Sequence, residues 1–291
     1  MLANIKDILT KAKAENYCVP ALGIGNEINF MACLQAAEEK RSPVIMLFMY
    51  GKNDIMRFGK WAREQAAQAS VPVSIILDHG AEYEHAIWAI HAGFTDIMVD
   101  RSKLPFEENM AQVKELTKIA HACGMGVEAE LGHVAMGDES VFTRPDEAKR
   151  FVEETGVDAL AVAIGTAHGA YKDTPKLQFE LLEELRDTVP VPLVLHGGSG
   201  TGDENLKKAC SMGINKLNVA YELYTGAIDS YKNYKESLPE NFRSWAPYDL
   251  YEKLGEGAKA VAAHHMDLCG STGKAEGKEE KHEKRCPGKN R

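Results

Sequence analysis

Residues 159–200 decide the fold. Ala159-Leu160-Ala161-Val162-Ala163-Ile164 is an unbroken apolar run that stops at Gly165-Thr166-Ala167-His168-Gly169. A stretch with helical spacing follows over 178–187. A second apolar run, Leu193-Val194-Leu195, then stops at His196-Gly197-Gly198-Ser199-Gly200. A strand apolar on both faces needs cover on both faces, and strand–helix–strand order supplies it in a parallel sheet. The same unit recurs on either side. Further apolar runs lie at 19–24, 44–48, 73–77, 97–99, 127–129 and 216–219. Amphipathic stretches at 29–40, 53–69, 81–91, 106–122, 145–155, 202–212 and 221–236 separate or follow them. Eight such units behind an N-terminal helix at 5–15 read as an α/β fold, a (β/α)8 TIM barrel forming a single domain. The competing arrangement is an open doubly wound sheet, which places its ligand at a switch point instead of above all eight strands.

The chain of 291 residues suits one such barrel, and its 44% hydrophobic and 26% charged residues are those of an ordinary globular protein. The formal net charge of −9 disfavours nucleic acid and anionic membranes as partners, since both bind a basic footprint. The apolar run 44–50 is far shorter than the roughly 20 residues that cross a bilayer. The N-terminal stretch carries Lys6, Asp7, Lys11 and Lys13, unlike a signal peptide, so a cytoplasmic location is expected. Cys18, Cys33, Cys123, Cys210, Cys269 and Cys286 show no Cys-x-x-Cys spacing, which argues for reduced thiols, with Cys33, Cys123 and Cys210 on apolar faces. Composition shifts at 270. Residues 270–291 are rich in Gly, Lys and Glu, with too little apolar surface to offset their ordering entropy. The expected organisation is a catalytic barrel over 1–269 and a disordered charged tail over 270–291.

In barrels of this kind chemistry sits on the loops after the strands. The third run is followed by Asp78-His79-Gly80, the fourth by Asp100 and Ser102, and the fifth by Glu130-Leu131-Gly132. The eighth contains Asn218, with Tyr221 and Glu222 just beyond. His79, His168 and His196 therefore converge on one mouth, and three protein ligands with one open position is how a catalytic Zn²⁺ is held. Asp78 precedes a proposed ligand, so in an extended strand end its side chain points away from that ligand's. It is placed either to carry a proton or to orient a histidine. Asp100 and Glu130 either hold a metal in an alternative position or cap their loops. Ser199 among glycines suits a phosphate cradle, where backbone N–H groups approach an anion closely.

These motifs resemble the class II, metal-dependent ketose-bisphosphate aldolases, in particular the fructose- and tagatose-bisphosphate branch. The resemblance runs from about residue 5 to 269. It is carried by Leu77-Asp78-His79-Gly80, Pro105-Phe106-Glu107-Glu108-Asn109, Val127-Glu128-Ala129-Glu130-Leu131-Gly132, and the two stretches that end in His168-Gly169 and His196-Gly197-Gly198-Ser199-Gly200. It implies a zinc-dependent lyase of carbohydrate metabolism and glycolysis that cleaves a ketose bisphosphate reversibly to dihydroxyacetone phosphate and an aldehyde. Tagatose- or fructose-1,6-bisphosphate would yield glyceraldehyde 3-phosphate. By resemblance His79, His168 and His196 hold one catalytic Zn²⁺, Asp100 and Glu130 a second or transient divalent ion, and Asp78 exchanges a proton with the hydroxyl formed from the aldehyde. Gly169, Gly197, Gly198, Ser199 and Asn218, with Tyr221, fall at positions that hold the phosphorylated half, and a homodimer or higher homo-oligomer is expected. A lysine Schiff base is disfavoured, because the only lysines near the strand ends are Lys216, at the start of its strand, and the loop residues Lys103 and Lys172.

Three departures bear on substrate. The loop after Gly132 reads His133-Val134-Ala135-Met136-Gly137-Asp138-Glu139, so the mobile-loop acid falls at Asp138, or at Glu139 after a one-residue slip. Asn218-Val219-Ala220-Tyr221 carries a phenol where a phosphate-contacting threonine is usual, and Leu22-Gly23-Ile24-Gly25-Asn26 replaces a usual Phe-Asn. These changes favour a related modified ketose phosphate or sugar-acid phosphate as an alternative substrate. A non-catalytic aldolase-like subunit would be expected to lose metal ligands, and all three histidines are retained. A barrel hydrolase would be expected to carry a His-x-His pair on its first strand, which is absent.

Overall fold

The computed structural model describes residues 1–51, 54–133, 142–169, 173–240 and 248–275. Helix α1 (Ile5–Ala14) precedes eight strand–helix units. These are β1 (Val19–Gly23) and α2 (Glu27–Lys40), β2 (Val44–Met49) and α3 (Ile55–Gln68), β3 (Val73–Gly80) and α4 (Tyr83–Ala92), and β4 (Asp96–Val99) and α5 (Phe106–Ala122). Then come β5 (Gly126–Leu131) and α6 (Pro145–Thr155), β6 (Ala159–Val162) and α7 (Phe179–Thr188), β7 (Leu193–Leu195) and α8 (Asp203–Ser211), and β8 (Ile214–Val219) and α9 (Tyr221–Ser237). Helix α10 (Tyr248–Leu268) follows. All neighbouring strands are parallel, and β1 pairs with β8, Ala21 opposite Asn218, so the sheet closes on itself. Closure removes both edges and excludes the open doubly wound sheet.

Period-two alternation divides the apolar residues into two cores. Leu77, Val127, Ala129, Leu131, Leu195, Leu217 and Val219 point outward and pack under the helices. Ala21, Ile45, Ile76, Met98, Ala161 and Val194 point inward and meet Ile5, Leu9 and Ala12 of α1, which plugs the N-terminal end of the barrel. Asn4 caps that helix by accepting from Asp7 N, and Asp96 Oδ1 accepts from Ile5 N at 2.8 Å, fixing the plug to β4. The inward positions one step further along β3, β5, β7 and β8 are polar: Asp78, Glu128, Glu130, His196 and Asn218. The cluster of charged side chains lies at the end opposite the α1 plug.

Most element ends lie within three residues of the expected ones, and β3 and β5 run on furthest because their last residues are polar. β3 runs to Gly80 and β5 to Leu131, so the motifs that end these runs are partly strand. The tail boundary also moves. Gly273 N and Ala275 N donate to Lys40 and Arg41 carbonyls at 2.9 Å, and Ser271 and Ala275 are buried, so the packed body continues past 269 to Ala275. Residues 276–291 lie outside the described residues. Cys123 is exposed at the end of α5 and does not share the apolar setting of Cys33 and Cys210. The scattered Cys18, Cys210 and Cys269 come together, their Sγ atoms within 4.8 Å of one another in the interior.

Candidate active site

Above the charged end of the barrel opens a cavity of about 550 Å³. Asp78, His79, Asp100, His168, Gly169, Gly197, Gly198, Ser199, Asn218 and Tyr221 all line it, so residues from five strand ends meet. His196 lies just behind the wall, wholly buried, and Glu130 is buried beside it. Asp138 and Glu139 lie outside the described residues, as does Lys172.

One expectation about orientation fails. Asp78 and His79 do not point to opposite sides, because His79 takes a left-handed backbone, φ 48°, at an irregularity in β3 between Leu77 and Gly80. The strand turns at that residue and both side chains face the cavity. Arg101 braces the bend, its guanidinium donating to the carbonyls of Gly80, Ala81 and Asp100.

Two of the three imidazoles are oriented from behind by carboxylates. Nδ1 of His79 donates to Asp100 Oδ2 at 2.7 Å, which turns Nε2 toward the other two rings. Nε2 of His196 donates to Glu128 Oε1 at 2.9 Å, which turns Nδ1 toward His79. His79 Nε2 and His196 Nδ1 stand 3.2 Å apart, and His168 offers a third nitrogen, all within 4.8 Å of one another. A proton on His79 makes this contact a single N–H···N hydrogen bond, and a divalent metal displacing that proton meets three imidazole nitrogens, so the donor set fits a metal oriented by carboxylates. The surroundings are also strongly anionic. Burial lowers the pKa of His79, but the charge of Asp78 and the hydrogen bond to Asp100, with Glu130 close by, overcome it and raise it to about 9. A second group of donors, His79, Asp100 and Glu130, also lies within 4.8 Å.

Two residues that sequence reasoning left without a role anchor this set. Glu128 and Lys216 are wholly buried inside the barrel, with Lys216 Nζ 2.8 Å from Glu128 Oε2. Lys216 also donates to Asn218 Oδ1 at 2.7 Å, which turns the Asn218 amide nitrogen toward Asp78 Oδ1, 3.4 Å away. One buried ammonium thus positions both a histidine and the Asp78 carboxylate. It does not reach the cavity as a nucleophile. The signal was available in the sequence: a charged residue at the inward phase of each of two otherwise apolar strands requires a partner.

The phosphate-cradle candidates are held by a clasp between two loops. Glu222 N donates to Ser199 Oγ at 3.2 Å, and Gly200 N donates to Glu222 Oε1 at 2.6 Å. Gly169 and Gly197 have φ of 93° and 68°, which side chains rarely adopt. Lys103 and His133 line the same cavity and were not expected there, since neither ends a strand; His133 Nδ1 lies 3.1 Å from Ser102 Oγ.

A family model described as fructose-bisphosphate aldolase class-II matches residues 3–274. The chain is 38% identical to a fructose-bisphosphate aldolase of Thermus caldophilus, over 94% of this chain and all of that one. It is 37% identical to a probable fructose-bisphosphate aldolase of Bacillus subtilis, over 94% and 99%. Among solved structures, the YdjI aldolase of Escherichia coli K12 superposes with a TM-score of 0.85 at 38% identity, covering 95% of this chain and all of the other. With the barrel, the imidazole set and these matches in agreement, the chain belongs to the class II fructose-bisphosphate aldolase family.

Proposed function

We propose that this lyase cleaves a ketose 1,6-bisphosphate, such as fructose- or tagatose-1,6-bisphosphate, reversibly to dihydroxyacetone phosphate and glyceraldehyde 3-phosphate. We assign a zinc ion to His79, His168 and His196, and a second or transient divalent position to Asp100 and Glu130. The observation that carries this reading is the convergence of one nitrogen each from His79, His196 and His168 within 4.8 Å, the first two 3.2 Å apart. The family uses a divalent metal, and when bound it supplies a Lewis acid that stabilises the enediolate left when the carbon–carbon bond breaks.

The chain's own residues supply the remainder. Asp78, held by Asn218, takes the proton of the hydroxyl that becomes the aldehyde, and returns it in the condensation direction. Its site favours this role over that of an orienting group, because Asp100 and Glu128 already orient His79 and His196. The enediolate carbon needs a second proton carrier, which we assign to Asp138, or to Glu139 at one residue's slip. Gly169, Gly197, Gly198, Ser199 and Asn218, with Tyr221, hold the phosphorylated half. We take the working form to be a cytoplasmic homodimer or higher homo-oligomer, on the habit of the family and the spacing of the cysteines. Among the described residues no helix is long and apolar enough to cross a membrane.

The rewritten positions near Gly23 and Tyr221 favour a second reading, in which the substrate is a modified ketose phosphate or sugar-acid phosphate. A panel of ketose phosphates, assayed for release of dihydroxyacetone phosphate with and without chelator, separates the two. The bisphosphates should be the best substrates under the first reading and poor ones under the second. Chelator-insensitive cleavage would contradict both.

A further inference from the structure

Gly23 and Gly25, at and just beyond the end of β1, leave a slot that another residue fills. A Cβ on Gly23 would stand 2.6 Å from Ala220 Cβ and 3.2 Å from the hydroxyl of Tyr224. A Cβ on Gly25 would stand 3.3 Å from Cε1 of Tyr224. The Tyr224 ring therefore lies over both glycines, on the same face of α9 as Tyr221 one turn earlier. The first-strand end and the α9 start, two of the places where the sequence departs from its family, are in contact with each other. They act as one rearrangement.

Tyr224 is half-buried and lines the cavity together with Asp78. Its hydroxyl makes no hydrogen bond with any described residue. Burial, and then the nearby Asp78 charge, push the phenol above its ordinary pKa, so it stays protonated and remains a donor. A rigid aromatic that lines the cavity beside Asp78 with an unused donor is a recognition element, because a site built to hydrogen-bond an oxygen rejects the analogue that lacks it.

We propose that Tyr224 is a specificity-determining residue whose hydroxyl donates a hydrogen bond to an oxygen substituent of the aldehyde half, next to the carbon whose hydroxyl Asp78 serves. This inference rests on the aldolase reading above and names the substrate class it selects: aldehydes oxygenated at the adjacent carbon. The Gly23–Gly25 slot gives the ring its position.

The test is Tyr224→Phe, which keeps the ring and removes the donor. Condensation of dihydroxyacetone phosphate is followed with glyceraldehyde 3-phosphate and with 3-phosphopropanal, which lacks only the adjacent hydroxyl. In the wild type, kcat/KM should favour the hydroxylated aldehyde, and in Tyr224→Phe that preference should fall by about tenfold or more, at unchanged metal content. An equal loss with both aldehydes would reduce Tyr224 to a packing residue, and an unchanged preference would remove it from recognition. Either result leaves the aldolase reading standing if the wild type makes product. A wild type that condenses neither aldehyde would overturn that reading, and this inference with it.

Discussion

Nζ of Lys216 lies 2.8 Å from Oε2 of Glu128 inside the barrel, with neither side chain exposed to solvent. Between them they fix His196 on one side and, through Asn218, Asp78 on the other. Glu128→Gln leaves a buried ammonium without its counter-charge, and breaking such a pair costs about 3–5 kcal/mol. Denaturant unfolding should show that loss. Replacing both partners, Glu128→Gln with Lys216→Met, should recover much of the stability but not the turnover. A single variant as stable as the wild type would contradict the assigned pairing.

The same pair sets a pH dependence. Burial raises the Glu128 pKa, but Lys216 and the His196 hydrogen bond overcome it and hold it at about 2, against 4.5 unperturbed. The folded value is depressed, so this stabilisation is present above pH 4.5 and is lost as pH falls from 4.5 toward 2. The share is on the order of 3 kcal/mol for a shift of this size. Unfolding free energy measured against pH should fall more steeply over that window in the wild type than in Glu128→Gln. Parallel curves would remove Glu128 as the cause.

Asp78→Asn tests the proton carrier. Metal content should be nearly that of the wild type while turnover drops by ~10²–10⁴, as when a general acid–base group is removed. Loss of the metal in this variant would place Asp78 among the groups that orient the histidines.

Asp138→Asn with Glu139→Gln addresses the other proton. The double variant should keep its metal and lose most exchange of the enediolate-carbon proton of dihydroxyacetone phosphate with solvent. Wild-type exchange would free both acids from the mechanism.

The cysteines should differ sharply in reactivity. Burial pushes the Cys33 thiol up, whereas Cys123 is exposed. Brief alkylation of the native protein, mapped by mass spectrometry, should label Cys123 well before Cys33. Equal rates would mean that α2 opens as readily as the end of α5.

Much of this site was legible in the sequence, because apolar runs with polar ends mark both the strands and the one barrel face where those ends meet. His79, His168 and His196 were readable for that reason. The shared facing of Asp78 and His79 was not, since alternation sends neighbours to opposite sides and only a positive φ at His79, which sequence does not reveal, brings both in. The Cys18, Cys210 and Cys269 grouping depends on where β1, α8 and the end of α10 pack, a long-range fact with no local signature. Tyr224 was hidden differently. Three residues beyond Tyr221 it shares a helix face, but its role depends on two glycines about 200 positions earlier.

The central claim is that His79, His168 and His196 bind the metal on which carbon–carbon cleavage depends. The direct measurement is metal content by mass spectrometry alongside dihydroxyacetone phosphate release from a ketose bisphosphate, before chelation, after chelation and after Zn²⁺ is returned. Metal and cleavage should be lost together and regained together, and His168→Ala should neither hold the ion nor cleave. Undiminished cleavage by protein shown to be free of metal would contradict the account.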